Sequence, residues 1–387
     1  MDFSYLLSEP LTAVMALALT VSFVWLAVYY GMVYMRLGRR REDAGDERQR
    51  PLPPVSVVLT VHNEADWLRE NLPYLLEQDY PDYEVVVVDF ISQDDTQFIL
   101  KVCSDHYARL KIVQFHQDVN LYRGRKYPLS IGIQSAKNDH ILFSEPDCVP
   151  KDFGWIRSMM QGYRRGDTQI VLGYSGVRQT KSFFNWLQVY DNLDYFLRFL
   201  SAALSGRPYT GCSRNLSYRR SFFFQRNAFY SHLSIAEGAD DIFVNQNATR
   251  QNTQVVIAPD SFTLTDSQPG FVRWCRLRRE RVATRRFYPL IQRLRLKAYP
   301  FAVLLFYVAA GVLLARHTFP WQILLAVLAL KCGWQILAVS FAVKRFDVKM
   351  LHWLSPIFEI YFLFANTFSA LTPLSLKGKR IRRVVKK

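Results

Sequence analysis

The chain has 387 residues, of which half are hydrophobic and 15% are aromatic, a composition that supports a large core and is rich for a purely soluble protein. Its formal net charge of +16 indicates an anionic partner, such as a phosphate group or a membrane surface. Nucleic acid is disfavoured as that partner, because no nucleic-acid-binding motif accompanies the charge. The five cysteines are widely spaced and include no CxxC pair, which argues against a zinc site or a disulfide framework.

The first predicted element is a membrane span. No charged residue occurs from Pro10 to Met35, a stretch longer than the about 20 apolar residues that cross a bilayer. It is too long for a signal-peptide core. A basic cluster follows between Arg36 and Arg50, and the positive-inside rule places the next part of the chain in the cytoplasm.

The segment after Pro54 alternates between short β-rich runs and helical patterns. The predicted strands are 55–60, 85–88, 111–115 and 140–143, and the predicted helices are 63–78, 94–107 and 125–136. This alternation predicts an α/β domain with a mostly parallel sheet flanked by helices. Ligands of such sheets bind at the carboxyl ends of the strands, so we expect the loops 60–64, 89–95 and 144–148 to form the site.

Two acidic pairs are candidates for chemistry. Glu145 and Asp147 are two residues apart, so in an extended segment both side chains point to one face and could hold Mg²⁺ or Mn²⁺ against a diphosphate. The alternative is an ordinary acidic turn. Asp240 and Asp241 precede an apolar run. They either complement a helix dipole or provide a general base for an acceptor hydroxyl.

A basic segment around Trp274 precedes the C-terminal apolar region. It contains Arg273, Arg276, Arg278, Arg279 and Arg281. These arginines could neutralise a leaving diphosphate through bidentate contacts or bind lipid head groups as a juxtamembrane helix.

Three apolar stretches follow, at 298–315, 319–343 and 353–376. Lys331 and Glu359 lie singly inside the last two and are predicted either to pair or to reach separately towards the membrane surface. Three spans put the segment 344–349 inside. A true fourth span would move the basic tail outside, so the last stretch either spans the bilayer, lies in its interface or folds back.

Five segments of the chain, taken in order, resemble family 2 glycosyltransferases of the membrane-anchored bacterial branch. They are VSVVLTVHNEADWLRENLPYLLEQDYPDYEVVVVD, GRKYPLSIGIQSAKNDHILFSEPDCVP, GCSRNLSYRRSFF, EGADDIFVNQNATR and FVRWCRLRRER. The resemblance covers about residues 54–288. It implies the nucleotide-diphospho-sugar transferase (GT-A) fold, with transmembrane helices on both sides, and a single displacement at the anomeric carbon with inversion.

The same resemblance implies roles for individual residues. Those assigned to nucleotide binding are Thr60, His62, Glu64, Asp89 and Lys126, the last at the diphosphate. Those assigned to the metal are Glu145 and Asp147, and those on the acceptor side are Gly211 to Asn215. Asp240, or with less support Asp241, is the implied base. Trp274, Arg276, Arg278, Arg279 and Arg281 correspond to the segment that closes over the donor.

Several positions depart from the family pattern. Phe90 stands where a second acidic residue usually reads the base, Glu145 begins the metal motif, and Ala239 replaces an Asp. Leu277 stands where a Gln is expected, and Glu280 places a negative charge among the arginines. Two hypotheses therefore remain: an active transferase with unusual donor recognition, or a catalytically silent relative that binds or scaffolds a membrane assembly.

The sequence divides into five predicted parts. They are an N-terminal anchor at 1–36, a basic linker at 37–53, the glycosyltransferase-like domain at 54–288, a membrane region of two to three apolar segments at 289–376 and a basic tail at 377–387. The expected location is the bacterial inner membrane, multi-pass, with the catalytic domain facing the cytoplasm. The expected donor is a nucleotide sugar, UDP-linked in preference to GDP-linked, and the acceptor is lipid-linked or a glycan. The few spans favour a single transfer or a short chain over processive synthesis.

Overall fold

The computed structural model describes residues 10–39, 52–115, 124–235, 237–317, 320–349 and 352–371. Its contacts divide the chain into two compact units, one built on β-sheets and one made of long helices. Most of the predicted basic linker and the whole basic tail lie outside the described residues.

The sheet unit contains two sheets within the part of the chain that the structure describes. Its strands are β1 Val55–Val61, β2 Tyr83–Phe90, β3 Leu110–Phe115, β4 His140–Phe143, β5 Cys148–Pro150, β6 Ile170–Leu172, β7 Ser175–Val177, β8 Leu216–Arg219, β9 Thr253–Val255 and β10 Thr263–Thr265. The larger sheet has the order β3-β2-β1-β4-β8-β6-β9, and the smaller has the order β5-β10-β7. Strands β1 to β4 pair in parallel as predicted, whereas β8 is antiparallel to both β4 and β6.

Helices cover the larger sheet and form the second unit. They are α1 Pro10–Arg39, α2 Ala65–Leu76, α3 Thr96–His106, α4 Lys126–Ser135, α5 Trp155–Met160, α6 Phe183–Leu204, α7 Arg220–Gln225, α8 Asp241–Asn247, α9 Phe271–Ala283, α10 Leu290–Ala315, α11 Trp321–Arg345 and α12 Ser355–Leu371. The predicted helices of the sheet unit begin and end within a few residues of these bounds.

The core of the sheet unit explains why the strands were readable in the sequence. β1 and β2 are runs of β-branched residues buried on both faces, and Val57, Val85 and Val87 have no exposed surface. Leu68 and Leu72 of α2 pack into the same core at helical spacing. This burial fixes the register of the central strands, and with it the edge where the three predicted loops emerge.

Among the described residues, three helices of the other unit are long and apolar enough to cross a membrane: α1, α10 and α11. This finding indicates association with a membrane. The described part of the fourth predicted apolar stretch forms α12, and residues 372–376 of that stretch lie outside the described residues. α1 approaches α11 closely, since a Cβ at Gly38 would lie 2.5 Å from the backbone of Phe341.

Candidate active site

The first two predicted loops meet at the carboxyl edge of the larger sheet. His62 Nδ1 lies 2.6 Å from the carbonyl oxygen of Phe90, and the backbone amide of Asn63 donates to Ser92 Oγ at 3.0 Å. Asn63 Oδ1 in turn accepts from the amide of Gln93 at 2.7 Å. These bonds hold the residues after β1 against those after β2, as expected for neighbouring parallel strands.

Asp89 is a fully buried acid at this edge of the sheet. Its side chain has no exposed surface, and Oδ1 accepts from the amide of Ser92 at 3.2 Å. Oδ2 has no hydrogen-bond partner among the described residues. A buried carboxylate oxygen without a donor is costly, so a further hydrogen-bond donor at this place would stabilise Asp89.

Thr60 and Glu64 flank this position. Thr60 is half-buried on β1, in register with Val88 of β2. Glu64 is half-buried just before α2, and burial together with the nearby carboxylate of Asp147 raises its pKa. The third loop, which carries Asp147, therefore lies beside the first.

Phe90 lies at the margin of the core and packs against other aromatic side chains. Its ring is half-buried, packs edge-to-face on Phe115 with centroids 5.6 Å apart, and lies 6.4 Å from the ring of His62. Phe115 also contacts Tyr127, with centroids 5.9 Å apart. A row of packed aromatic rings, Phe90, Phe115 and Tyr127, which we call the aromatic wall, thus lies where the family pattern has a second acid.

The predicted metal ligands are held by arginines. Both oxygens of Glu145 accept from guanidinium groups, Oε1 from Arg125 and Oε2 from Arg214 Nε at 3.1 Å. Asp147 Oδ2 accepts from Thr265 Oγ1 at 2.8 Å and lies 3.6 Å from a terminal nitrogen of Arg214. Burial alone would raise the pKa of Glu145, but the two guanidiniums lower it to about 2.

This arrangement does not fit a divalent cation bound between Glu145 and Asp147. The guanidinium of Arg214 already bridges the two carboxylates, and the oxygens that a cation would share accept hydrogen bonds. Among the residues described, no group of three or more His, Cys, Asp or Glu side chains could hold a metal ion.

The candidate base is tied to the same cluster. Asp240 Oδ2 accepts from the backbone amide and the hydroxyl of Ser213, at 2.9 and 3.0 Å, and Oδ1 accepts from the amide of Asp241 at 2.9 Å. Ser213 Oγ also accepts from Arg125 at 2.8 Å. Asp241 is buried and its Oδ1 accepts from the amide of Ile242, so Asp240 is the more exposed of the two acids.

The structure gives Lys126 a different position from the one predicted. Its side chain is buried, and Nζ donates to the carbonyl oxygens of His232, Ile235 and Glu237 at 2.6–2.8 Å. The ammonium group therefore anchors the segment before α8 and is not presented to a diphosphate. The neighbouring Arg125 reaches the acidic cluster instead.

Gly211 and Asn215 also serve the framework rather than an acceptor surface. Asn215 is buried, donates to the carbonyl oxygens of Tyr174 and Ser261, and accepts from the indole of Trp155 at 3.1 Å. A Cβ at Gly211 would lie 3.1 Å from side chains of β8 and α8, so the glycine permits close packing.

The arginines of α9 separate into two groups. Arg278 and Arg281 lie 3.5 and 3.8 Å from the carboxylate of Asp191, and Trp274 is buried with the Arg278 guanidinium 5.1 Å from its ring centre. These three hold the helix in place. Arg276 is exposed and Arg279 is half-buried.

Arg273 is also exposed, and its positive charge acts to lower the pKa of Glu64. The beginning of α9 therefore approaches the loop after β1.

Sequence analysis gave no role to Arg125 or Thr265, and it assigned Ser213 and Arg214 only to the acceptor side, within the range Gly211 to Asn215. Arg214 lies inside a quoted motif between two residues assigned to the acceptor side. A single arginine among small polar residues was the available signal, and its side chain is only 9% exposed.

The topology and the polar loops define a class of protein. A mixed sheet of this order, with polar loops at the carboxyl ends of β1, β2 and β4, is the GT-A fold of nucleotide-sugar-dependent transferases. The mannosyltransferase PcManGT from Pyrobaculum calidifontis, solved with GDP-Man and Mn²⁺, matches with a TM-score of 0.61 and 19% identity over 92% of this chain and 98% of its own.

The family model for glycosyl transferase family 2 matches residues 56–232, so this segment is similar to that family. Glycosyltransferase AglE of Haloferax volcanii is 36% identical over 101 residues, which are 26% of this chain. The probable glycosyltransferase YdaM of Bacillus subtilis is 28% identical over 142 residues, or 34% of this chain. The alignments span 32% and 34% of the lengths of these relatives, about a third of each.

Proposed function

We propose that this chain transfers a sugar from a nucleoside-diphosphate sugar to an acceptor at a membrane, by single displacement with inversion. The carrying observation is the continuous polar network that runs from the candidate base Asp240 through Ser213 and Arg125 to Glu145. It joins a proton acceptor to guanidinium groups at the sheet edge where the fold family binds its donor.

The chemistry follows from the partly exposed members of that network, Asp240 and Arg125. Asp240 would take the proton of the acceptor hydroxyl as the oxygen attacks the anomeric carbon from the side opposite the leaving group. Ser213 holds its carboxylate through two hydrogen bonds. The bond to the diphosphate breaks, and Arg125 would stabilise the charge that develops on the leaving oxygens.

Asp89 would bind the nucleoside. Its unpartnered Oδ2 can accept from a donor on the base or the ribose, while the wall of Phe90 and Phe115 offers an apolar surface to a ring. UDP-linked donors remain our first choice, and GDP-linked donors the second, the latter because the neighbour from Pyrobaculum calidifontis was solved with GDP-Man.

The expected cation, Mg²⁺ or Mn²⁺, takes no part in these proposed steps. The Mn²⁺ in the complex of that neighbour favours the use of a divalent cation. However, Glu145 and Asp147 of this chain are committed to Arg214, and the arrangement does not fit an ion between them.

A membrane acceptor is proposed from the three apolar helices. We propose the bacterial inner membrane, with the sheet unit on the cytoplasmic side, because basic residues follow α1 and end α11. This orientation predicts that a cysteine at Lys349 is labelled only from the cytoplasm and one at His317 only from outside. Labelling from the opposite sides would reverse the orientation.

The test is nucleotide binding to the full-length protein in detergent. UDP, GDP, ADP and CDP would be titrated by calorimetry into wild type and Asp89→Asn. Saturable binding of one nucleotide, weakened in the variant, supports the proposal and identifies the donor class. No binding to a protein shown to be folded would overturn it and favour the silent relative that acts as a scaffold.

A further inference from the structure

The carboxylates of Glu145 and Asp147, which follow β4, are already paired with a positively charged side chain of the protein itself. Arg214 Nε bonds Glu145 Oε2 at 3.1 Å, and a terminal nitrogen of the same guanidinium lies 3.6 Å from Asp147 Oδ2. The side chain of Arg214 is 9% exposed, and those of Glu145 and Asp147 are 15% and 25% exposed. The bridge is therefore largely shielded from solvent, with Arg214 the most enclosed of the three side chains.

A second guanidinium completes the charge balance. Arg125 bonds the other oxygen of Glu145 and also donates to Ser213 Oγ. Two carboxylates thus face two guanidiniums, a formal sum of zero. A divalent cation between the same carboxylates would give the same sum, so the arginine pair provides the charge that the ion would bring.

The two arginines differ in what they can offer a ligand. A guanidinium has five N–H donors, and the bonds to Glu145 and Ser213 use one terminal nitrogen of Arg125. The side chain of Arg125 is 42% exposed, so its remaining donors can reach a ligand. Arg214 is enclosed and holds the carboxylates, whereas Arg125 faces outward from the same cluster.

We propose that Arg125 and Arg214 together take the place of the divalent cation, so that this chain binds the diphosphate of its donor without a metal ion. The inference rests on the proposed function for the identity of the ligand. Arg125 contacts the diphosphate, and Arg214 keeps Glu145 and Asp147 from repelling it. Guanidinium groups recognise phosphate oxygens well, because their N–H donors match them in pairs.

Two measurements on the full-length protein in detergent test this. The first is Mn²⁺ binding without nucleotide, followed by electron paramagnetic resonance. Wild type should bind no Mn²⁺ at this place. Arg214→Gln should bind Mn²⁺ at least about ten-fold more tightly than the detection limit set by wild type, because Arg125 alone then compensates the two carboxylates. Asp147→Asn in the same variant should abolish the gain. Arg198→Gln is the control, since it removes a guanidinium that pairs with one carboxylate, Asp194, at 2.7 Å.

The second measurement is the affinity for UDP and GDP in EDTA and in Mn²⁺. We expect the same affinity in both, and a loss of about 10- to 100-fold in Arg125→Gln, the usual effect of removing a charge-assisted hydrogen bond. Arg125→Lys should recover part of the loss.

Nucleotide binding that requires Mn²⁺ would overturn the inference, as would Mn²⁺ binding to the free wild type that Asp147→Asn abolishes. If Arg214→Gln does not fold, the wild-type measurements decide alone. If no nucleotide binds under any condition, the proposed function fails. The Mn²⁺ measurements then still show whether Arg214 fills the cation position.

Discussion

Lys331 and Glu359 form an ion pair inside the helical unit, where their side chains are 1% and 2% exposed. Glu359 also accepts from the hydroxyl groups of Tyr30 and Tyr299, and Lys331 donates to Gln335 at 2.9 Å. This confirms the pairing alternative that two isolated charges in neighbouring apolar stretches indicated. The cluster joins α1, α10, α11 and α12 through polar groups that lipid could not satisfy.

Removing either charge of this pair should destabilise the helical unit strongly. Lys331→Met or Glu359→Gln alone leaves an uncompensated buried charge, a change that costs about 3–5 kcal/mol in buried pairs. The double variant Lys331→Met/Glu359→Gln removes both charges and should recover more than half of the loss. Thermal denaturation in detergent measures both effects.

Lys344→Met is the matched control for that series, since it removes an exposed lysine near the end of the same helix. It should leave the melting temperature nearly unchanged. A double variant as unstable as the sum of the two single variants would show that the pair is not energetically coupled.

Asp89→Asn should weaken nucleotide binding by about 10- to 100-fold, because it replaces a carboxylate oxygen that is left for a ligand donor. Glu84→Gln is the control. It also removes a buried carboxylate of β2, but one at the other end of the strand, where it accepts from Ser56 Oγ and the amide of Lys137. Calorimetric titration should show a lower stability and an unchanged affinity for Glu84→Gln. Equal losses of affinity in both variants would contradict a ligand role for Asp89.

The parallel half of the sheet was predictable because local signals agree there. The valines of β1 and β2 are buried on both faces, and the leucines of α2 recur at helical spacing, so pattern and burial point to the same elements. The short strands β5, β7 and β10 have three residues each, too few to show a period, and were not predicted.

The hydrogen bonds and ion pairs within the site were less predictable, because they depend on distances between side chains in the folded protein. Lys126 and Arg125 are adjacent in sequence, yet Lys126 turns to backbone carbonyls and Arg125 to Glu145. Arg214 reaches Glu145 from 69 residues away along the chain. No periodicity or spacing in the sequence predicts that contact, and the resemblance assigned Glu145 to a metal ion and Lys126 to a diphosphate.

Glu145→Gln should change how stability depends on pH. Its pKa is about 2 in the folded protein, below the ordinary value of 4.5, so the ionised group stabilises the fold above pH 4.5. That stabilisation, about 3 kcal/mol at most, is lost as the pH falls from 4.5 through 2. The variant should therefore melt below wild type at pH 7, and the difference should shrink at pH 3.

Circular dichroism during heating in detergent, at pH 7, 4.5 and 3, measures this difference. Glu70→Gln is the control, because Glu70 is exposed on α2. A difference between Glu145→Gln and wild type that does not vary with pH would contradict an ionised Glu145 paired with Arg125 and Arg214.

Asp240→Asn should strongly slow sugar transfer while nucleotide binding persists. The amide oxygen can still accept from Ser213, so this contact is kept, but an amide cannot take a proton from an acceptor hydroxyl. Loss of a general base lowers kcat by about 10²- to 10⁴-fold. Asp241→Asn is the matched control, because Asp241 is buried and accepts from the amide of Ile242. Steady-state kinetics with the donor found by titration should show the loss in kcat and little change in KM. If Asp241→Asn lost turnover and Asp240→Asn kept it, the base would be Asp241.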